Sequence, residues 1–279
     1  MQSATETVVE DPEERRVHGH ALGLLQDAGL EPMVGGAYAL RTHTGLWRDT
    51  KDLDLFVRKD RIPDALAVLS RGGYRTEFTD QLWIAKAFGG PFYIDLIFSS
   101  GNGLGIVDEQ WRARAATAQV LGRESLIVPA EEMIWQKAYI QERERFDGAD
   151  IHHLLRCKGA SLDWKHLLWR FDPHWQVLYV HLISFRFCFP SDKDQVPSWV
   201  MCNLAARLAL EEERPPAKDK LCRGTLLSRQ QYLHELREHG YRDARELEVT
   251  GWQGDSTYPV RPRAVPEQKG LSDAHRSGG

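Results

Sequence analysis

The chain has 279 residues, 42% of them hydrophobic, which is enough to bury one sizeable core and a smaller second one. Its formal charge of −4 argues against non-specific nucleic-acid binding over the whole surface, although it leaves room for a local basic groove. No run of about 18 or more apolar residues occurs, and the first six residues lack an apolar stretch. We therefore expect a cytoplasmic protein without a membrane span or secretory signal.

Patterning along the chain predicts four segments. Residues 1–12 are polar and expected to be flexible, and residues 13–128 are expected to form a small mixed sheet flanked by helices. Residues 129–245 carry apolar residues at helical spacing and predict a helical domain. Residues 246–279 are rich in glycine, proline and charge without periodicity, which is typical of a disordered tail. The predicted fold class is α/β (α+β), followed by a C-terminal helical bundle.

The first predicted helix covers residues 13–30, and an apolar pair ending at Val34 leads from it into Gly35 and Gly36. A glycine pair after a short strand lets the backbone approach a bound group closely. The pair alone is not specific, because the chain has 23 glycines and further Gly-Gly pairs that fit turns, caps or a tail. Its meaning depends on the carboxylates that follow.

Acidic and apolar residues alternate at residues 52–56, which predicts a strand. Asp52 and Asp54 therefore project from one face, while Leu53 and Leu55 point into a core. Two unit charges about 4 Å apart repel by roughly 4 kcal/mol at an effective dielectric constant near 20, so a cation between them is expected. Mg²⁺ is usually held by one or two carboxylates together with substrate phosphates. For the acid pair alone, a solvated edge strand is the alternative.

A third carboxylate, Asp95, lies in the middle of the apolar run at residues 92–98, which predicts a buried strand. Gly89-Gly90 is predicted as the two-residue turn of a hairpin that precedes this strand. A charge on a central strand needs a partner, and facing the first acid pair would provide one. Three shared carboxylates are the set that two-metal phosphoryl transfer uses.

The order of these residues resembles the DNA polymerase β-like nucleotidyltransferase superfamily. Within it, the chain is most similar to the minimal branch that includes aminoglycoside nucleotidyltransferases and abortive-infection toxins. The resemblance covers about residues 15–155, and the matching residues are Val34, Gly35, Gly36, Asp52, Asp54 and Asp95. Fifteen residues separate Gly36 from Asp52, a few more than is usual in the family, and residues 42–47 look like the extra material.

The resemblance implies a role for each of these residues. Gly35 and Gly36 would hold the triphosphate of a nucleotide. Asp52 and Asp54 would bind the metal, and Asp95 would complete the metal site and help to activate the acceptor hydroxyl. The implied cofactor is Mg²⁺, as two ions, with Mn²⁺ as a substitute.

Basic residues near these acids are further candidates for nucleotide binding. Arg41 falls within the short helix that the glycine turn opens, and Lys137 lies on a predicted helix at residues 130–142. By resemblance to the toxin-like relatives, Lys137 would reach the nucleotide phosphates. Asp147 and Asp150 share a helix face and either organise the basic residues or form a plain surface pair or a buried ion pair. Other basic residues that offset triphosphate charge or flank a solvated loop are Arg48, Lys51, Arg58, Lys59 and Arg61.

The helical part contains several tryptophans at close spacing. A packed bundle explains them, and base-stacking platforms are the alternative. Helices are predicted at residues 148–157, 162–171, 175–187, 199–210 and 229–239, and a hairpin at 119–128. The histidines show no zinc or phosphohydrolase pattern, and the four cysteines include no Cys-x-x-Cys pair, so they are expected to be reduced and mostly buried.

Together these features predict a Mg²⁺-dependent nucleotidyltransferase. It would transfer a nucleoside monophosphate from a nucleoside triphosphate to an acceptor hydroxyl of a small molecule, an RNA such as tRNA, or a protein, and release pyrophosphate. The alternative is a non-catalytic binding protein of this fold, such as a regulatory protein or one half of a toxin–antitoxin pair with an antitoxin partner. The presence of all three acids favours the enzyme, whereas neither the base nor the acceptor follows from the sequence.

Overall fold

A computed structural model of the chain describes residues 11–249. Most of the predicted flexible N-terminus, residues 1–10, and most of the predicted tail, residues 250–279, lie outside the described residues. Among the helices of residues 11–249, none has the length and apolar character that crossing a membrane requires.

Helices and strands alternate in the first half of the chain, and helices dominate the second half. The helices are α1 Pro12–Asp27, α2 Gly36–Thr44, α3 Ile62–Arg71, α4 Glu109–Arg114, α5 Ala130–Ala138, α6 Gly148–Lys158, α7 Trp164–Phe171, α8 Trp175–Cys188, α9 Ser198–Glu212, α10 Leu233–Glu238 and α11 Arg245–Glu248. The strands are β1 Met33–Val34, β2 Asp52–Phe56, β3 Arg75–Asp80, β4 Ile84–Gly89, β5 Phe92–Ile97, β6 Ala116–Val120, β7 Arg123–Ile127, β8 Leu221–Cys222 and β9 Arg242–Asp243.

Seven strands form one mixed sheet in the order β3-β4-β5-β2-β1-β7-β6, which confirms the predicted α/β class. β2 runs parallel to β5 and antiparallel to β1, so β2 is a central strand rather than a solvated edge. Leu53 and Leu55 are fully buried, as the alternation predicts. Because side chains alternate along a strand, the acids of β2 must leave the sheet on the opposite face.

The glycine turn connects β1 to α2 and so places the start of this helix beside the centre of the sheet. α2 ends at Gly45, whose φ of 76° is the left-handed conformation common after a helix. α2 therefore includes part of the extra material predicted at residues 42–47, and the rest lies in the loop before β2.

The hairpin between β4 and β5 differs from the prediction by one residue. Gly89 is the last residue of β4 and pairs with Phe92, so the turn consists of Gly90 and Pro91. Gly90 has a φ of 67°, which suits a tight hairpin turn, and Pro91 cannot donate a ladder hydrogen bond. The predicted Gly89-Gly90 turn is therefore wrong by one position.

The second half of the chain is helical up to α9. A single core cluster contains residues of both predicted domains, for example Leu53 and Leu182, and a small separate cluster surrounds Leu233. Trp164 is buried in this core, whereas Trp169 and Trp199 are about half exposed. The expectation of mostly buried cysteines is wrong, since the exposed cysteines are Cys157, Cys188 and Cys202.

The end of the described chain is more ordered than its polar sequence predicts. The predicted tail begins at residue 246, but residues 246–248 belong to α11, and Val249 is buried. Glu248 connects this helix to the rest of the protein, because it accepts hydrogen bonds from His174 at 2.9 Å and from Arg223 at 2.8 Å. The helix predicted at 229–239 is shorter in the structure and corresponds to α10.

Candidate active site

Three aspartates meet on one face of the central sheet. Asp54 of β2 lies directly opposite Asp95 of β5 in the parallel ladder, and Asp52 precedes Asp54 by two residues on the same face. One carboxylate oxygen from each residue lies within 4.8 Å of the other two. The structure thus brings together the three acids that the sequence analysis selected.

The glycine turn packs directly against this acid cluster. The amide of Gly35 donates a hydrogen bond of 2.9 Å to the main-chain oxygen of Asp54. Gly36 has a φ of 53°, and a Cβ at this position would lie 1.8 Å from Oδ2 of Asp54. Two features therefore favour glycine at position 36: the left-handed backbone conformation, and a contact with Asp54 that leaves no room for a methyl group.

The start of α2 also presents polar backbone to the site. Gly35 is the N-cap residue, and no side chain caps the first amides of this nine-residue helix. The amino end of a helix carries partial positive charge and exposed N–H donors, which suit an anionic group. The turn therefore provides backbone donors beside the carboxylates.

The electrostatics of the cluster call for a cation. Burial, together with the negative charges of Asp52 and Asp95, raises the pKa of Asp54 to about 7, against the opposite effect of Lys137 and Arg145. The set offers only carboxylate oxygens, which are the ligands that hard divalent ions such as Mg²⁺ and Mn²⁺ prefer. By donor type and spacing, the three aspartates fit a divalent metal.

Lys86 is a member of the site that the sequence analysis did not identify. It lies opposite Asp95 in the β4–β5 ladder, and its Nζ is 2.7 Å from Oδ1 of Asp95. The pKa of Asp95 is raised by burial, and the hydrogen bond and charge of Lys86 reduce this effect. The hairpin register would have identified this contact in the sequence. A turn at Gly90-Pro91 pairs Lys86 with Asp95, whereas the predicted turn at Gly89-Gly90 pairs Lys86 with Tyr93.

Lys137 lies close to the acid cluster but is held by two other carboxylates. Its Nζ is 2.7 Å from Asp147 and 2.8 Å from Asp150, and all three side chains are nearly buried. Arg145 binds the same Asp147 through two hydrogen bonds of 3.0 Å. Of the alternatives for the Asp147 and Asp150 pair, the structure excludes a plain surface pair and shows buried ion pairs with Lys137. Contact of Lys137 with a nucleotide stays a prediction.

Arg41 lies in the last turn of α2. Its guanidinium lies 5.2 Å from the centroid of the Trp47 ring, and that ring packs edge-on against Tyr38 at 5.1 Å. Its predicted role in nucleotide binding remains a prediction.

The loop before β2 orients the first acid. Thr50 donates a hydrogen bond from its hydroxyl to a carboxylate oxygen of Asp52. In the same loop, Arg48 binds Asp150 at 2.6 Å and so ties the loop to α6. No pattern in the sequence predicts the Thr50 contact, because this contact depends on how the loop folds back.

Three other basic residues of the predicted cluster, Arg58, Lys59 and Arg61, have partners away from the acids. Arg58 pairs with Asp60 and Glu109, Arg61 lies 3.4 Å from Asp64, and Lys59 donates to a main-chain oxygen. Arg58 and Arg61 line a groove of about 270 Å³ beyond the end of β2, which acidic residues also line. This groove has mixed charge and is separate from the acid cluster.

No protein-family model matches the chain, and no curated protein matches it either. Among solved structures, the antibiotic-resistance factor ANT(2'')-Ia aligns with a TM-score of 0.41 and 17% identity, covering 73% of this chain and 97% of that chain. The lincosamide antibiotic adenylyltransferase LnuA, with lincomycin bound, aligns with a TM-score of 0.38 and 16% identity, covering 52% and 96%. An antigenic nucleotidyltransferase-like protein from Paracoccidioides brasiliensis aligns with a TM-score of 0.43 and 16% identity, covering 66% and 93%. At TM-scores below 0.5 these alignments do not assign a function, which depends on the geometry of the chain's own site.

Proposed function

We propose that the protein is a divalent-metal-dependent nucleotidyltransferase that uses Mg²⁺. It would transfer a nucleoside monophosphate from a nucleoside triphosphate to an acceptor hydroxyl and release pyrophosphate. The observation that carries the proposal is the cluster of Asp52, Asp54 and Asp95, with oxygens within 4.8 Å of one another, against a turn whose Gly36 leaves no space for a side chain.

Asp52, Asp54 and Asp95 would hold the metal, and the prediction of two ions applies to the complex with nucleotide. When bound, the metal supplies positive charge that polarises the triphosphate and the acceptor oxygen. The raised pKa of Asp54, at about 7, supports this assignment because a bound cation would remove the repulsion that contributes to the shift.

The backbone at Gly35 and Gly36 would bind the phosphates. The amides at the start of α2, which no side chain caps, would donate hydrogen bonds to the phosphates, and glycine allows the phosphates to approach the backbone. Lys137 and Arg145 are positioned by Asp147 and would add positive charge near the triphosphate. Each of these groups binds and orients the nucleotide without changing its own covalent state.

Asp95 would act on the acceptor. As the acceptor oxygen bonds to the α-phosphorus, the bond from that phosphorus to the pyrophosphate oxygen breaks, and the hydroxyl proton passes to the Asp95 carboxylate. The burial of Asp95 raises its pKa and so makes it a better proton acceptor than an exposed aspartate. The helical second half of the chain would shape the acceptor side.

A labelling screen tests this function. The full chain is incubated with each of four α-³²P-labelled nucleoside triphosphates, Mg²⁺, and cellular RNA, protein or small metabolites in separate reactions. We expect a labelled product from one acceptor pool, abolished by chelation and by Asp54→Asn. Asp49→Asn, which removes an exposed carboxylate from the loop before β2, is the matched control and should label normally.

The rival reading is a binding protein without transferase activity. It requires that no pool be labelled under any metal condition, and that Asp54→Asn bind nucleotide as the unaltered protein does. Those two results together would contradict the proposed function. A product from one pool would also identify the acceptor class as small molecules, RNA or protein.

A further inference from the structure

Lys86 belongs to a row of charged residues that crosses three neighbouring strands. Lys86 on β4 is directly opposite Asp95 on β5, and Asp95 is directly opposite Asp54 on β2. Side chains directly opposite in a sheet have Cβ atoms roughly 5 Å apart and share a face. The strand register therefore forces an ammonium group against the carboxylate cluster.

Two contacts fix the position of this ammonium group. Nζ of Lys86 lies 2.7 Å from Oδ1 of Asp95 and 4.5 Å from the centroid of the Tyr93 ring. The side chains of Lys86 and Asp95 are only 23% and 10% exposed. An ammonium group that is held between a carboxylate and an aromatic face, and is mostly removed from water, is less mobile than that of an exposed lysine.

The contact has consequences for metal binding. Lys86 takes up one of the lone-pair sites of the Asp95 carboxylate and so leaves fewer of them for a metal. The ammonium charge also repels a divalent cation nearby. At the dielectric constant of water, one unit charge about 5 Å from a divalent ion already changes its affinity by about tenfold.

We propose that Lys86 is a positioning residue that serves as an internal counter-ion for the acceptor side of the site. It holds Oδ1 of Asp95 while the second lone pair of that oxygen remains for the metal, restricts the nucleotide-free carboxylates to one divalent ion, and leaves Oδ2 of Asp95 to receive the acceptor proton. The further ion of the reacting complex would then arrive with the triphosphate, whose oxygens complete its ligand set. This inference rests on the proposed function.

The roles of the two Asp95 oxygens follow from the balance of the transfer step. The acceptor hydroxyl loses its proton to Oδ2 as its oxygen bonds to the α-phosphorus, and pyrophosphate leaves with the electrons of the broken phosphorus–oxygen bond. Lys86 keeps its own proton throughout and stays bound to Oδ1. It acts through Asp95 and does not touch the substrate.

Mn²⁺ binding to the nucleotide-free protein tests the proposal without relying on catalysis. Free Mn²⁺ is titrated by electron paramagnetic resonance for the unaltered chain and for the neutral variants Lys86→Met and Lys86→Gln. We expect one bound Mn²⁺ in the unaltered chain, and about tenfold tighter binding or a second bound ion in both neutral variants. Lys86→Arg, which keeps the charge, should bind Mn²⁺ within about threefold of the unaltered chain.

Lys59→Met is the matched control. Lys59 is also a lysine next to an aromatic ring, 5.4 Å from the centroid of Phe98, but it donates to a main-chain oxygen rather than to a carboxylate. Its replacement should leave Mn²⁺ binding and transfer unchanged. In the transfer reaction, Lys86→Met should lower kcat by about tenfold or more with little change in KM for the nucleotide, and Lys86→Arg should restore part of kcat.

Opposite changes in metal affinity and kcat distinguish this role from a structural one, because loss of structure would weaken both. The proposal is overturned if folded Lys86→Met and Lys86→Gln, checked by circular dichroism, bind Mn²⁺ no more tightly than the unaltered chain. It is also overturned if Lys59→Met tightens binding equally. If no acceptor is ever labelled, the proposed function fails, whereas the Mn²⁺ titrations still decide the role of Lys86.

Discussion

Replacement of Gly36 by alanine separates the backbone requirement of the glycine turn from its contact with the acid cluster. The added Cβ would lie 1.8 Å from Oδ2 of Asp54, and real Cβ contacts lie beyond 3.0 Å, so the carboxylate has to withdraw by more than 1 Å. A displacement of about 1 Å at a reacting centre costs on the order of 100-fold in rate. We expect Gly36→Ala to lower kcat for transfer about 100-fold and to weaken Mn²⁺ binding.

Gly45→Ala is the matched control for this change. Gly45 lies at the other end of α2 with a φ of 76°, and nothing lies within 4 Å of its added Cβ. Both substitutions place alanine in the left-handed region, which costs roughly 1–2 kcal/mol. Gly45→Ala should therefore lower the free energy of unfolding by about that amount and Gly36→Ala by at least as much, since its clash with Asp54 adds to the cost, whereas only Gly36→Ala should lose activity.

The assay combines urea denaturation with transfer kinetics and Mn²⁺ titration on the same preparations. The difference between the two variants in kcat and in Mn²⁺ affinity measures the contact with Asp54. If Gly36→Ala retains the kcat and Mn²⁺ affinity of Gly45→Ala, then the glycine turn does not constrain the carboxylate, and our reasoning about the site is wrong.

Three further predictions concern ionisable groups. The pKa of Asp54 in the folded protein is raised to about 7, so Asp54 ionises at lower pH in the unfolded chain, and the metal-free protein loses stability as pH rises from about 4 to 7. At pH 8 with chelator, Asp54→Asn should therefore be more stable than the unaltered chain by up to about 4 kcal/mol. Equal stability of the two proteins would refute this prediction. Lys137→Met leaves the nearly buried carboxylates of Asp147 and Asp150 without this partner and should lower the free energy of unfolding in urea by about 3 kcal/mol or more. The double variant Lys137→Met with Asp150→Asn should recover part of this loss. Burial lowers the pKa of His18 to about 4, so His18 is protonated at higher pH in the unfolded chain, and the protein loses stability as pH falls from about 6.5 to 4. His18→Gln should therefore lose less stability than the unaltered chain between pH 7.5 and 5. Parallel losses in the two proteins would contradict the lowered pKa of His18.

The three acids could be selected from the sequence because local patterns mark each of them. Alternation fixes the face of Asp52 and Asp54, and a charge within an apolar run marks Asp95 as unusual. That β2 and β5 are neighbours did not follow from these patterns, since pairing of distant strands depends on the whole sheet. The expectation that the three acids meet came from the need of a buried charge for a partner, together with the resemblance to a known superfamily.

Lys86 escaped prediction because of a single turn residue. Moving the hairpin turn from Gly89-Gly90 to Gly90-Pro91 changes the partner of Lys86 from Tyr93 to Asp95. Glycine pairs favour turns but do not fix which two residues form one. An error of one residue in a turn therefore hides a salt bridge at the centre of the site.

Order at the end of the described chain was missed for a different reason. Residues 246–248 are mostly polar, and composition alone predicts disorder there. In the structure, hydrogen bonds from His174 and Arg223 to Glu248 hold the helix. Such contacts join residues far apart in sequence, and neither periodicity nor composition reports them.

The position of the transferred phosphate tests the central claim most directly. Parallel reactions with α-³²P and γ-³²P nucleoside triphosphate, Mg²⁺ and the acceptor pool compare the unaltered chain with Asp95→Asn. We predict that the α label enters the acceptor, that the γ label appears in pyrophosphate, and that Asp95→Asn loses both products. Transfer of the γ label to the acceptor, or equal α labelling by Asp95→Asn, would contradict nucleotidyl transfer by this carboxylate cluster.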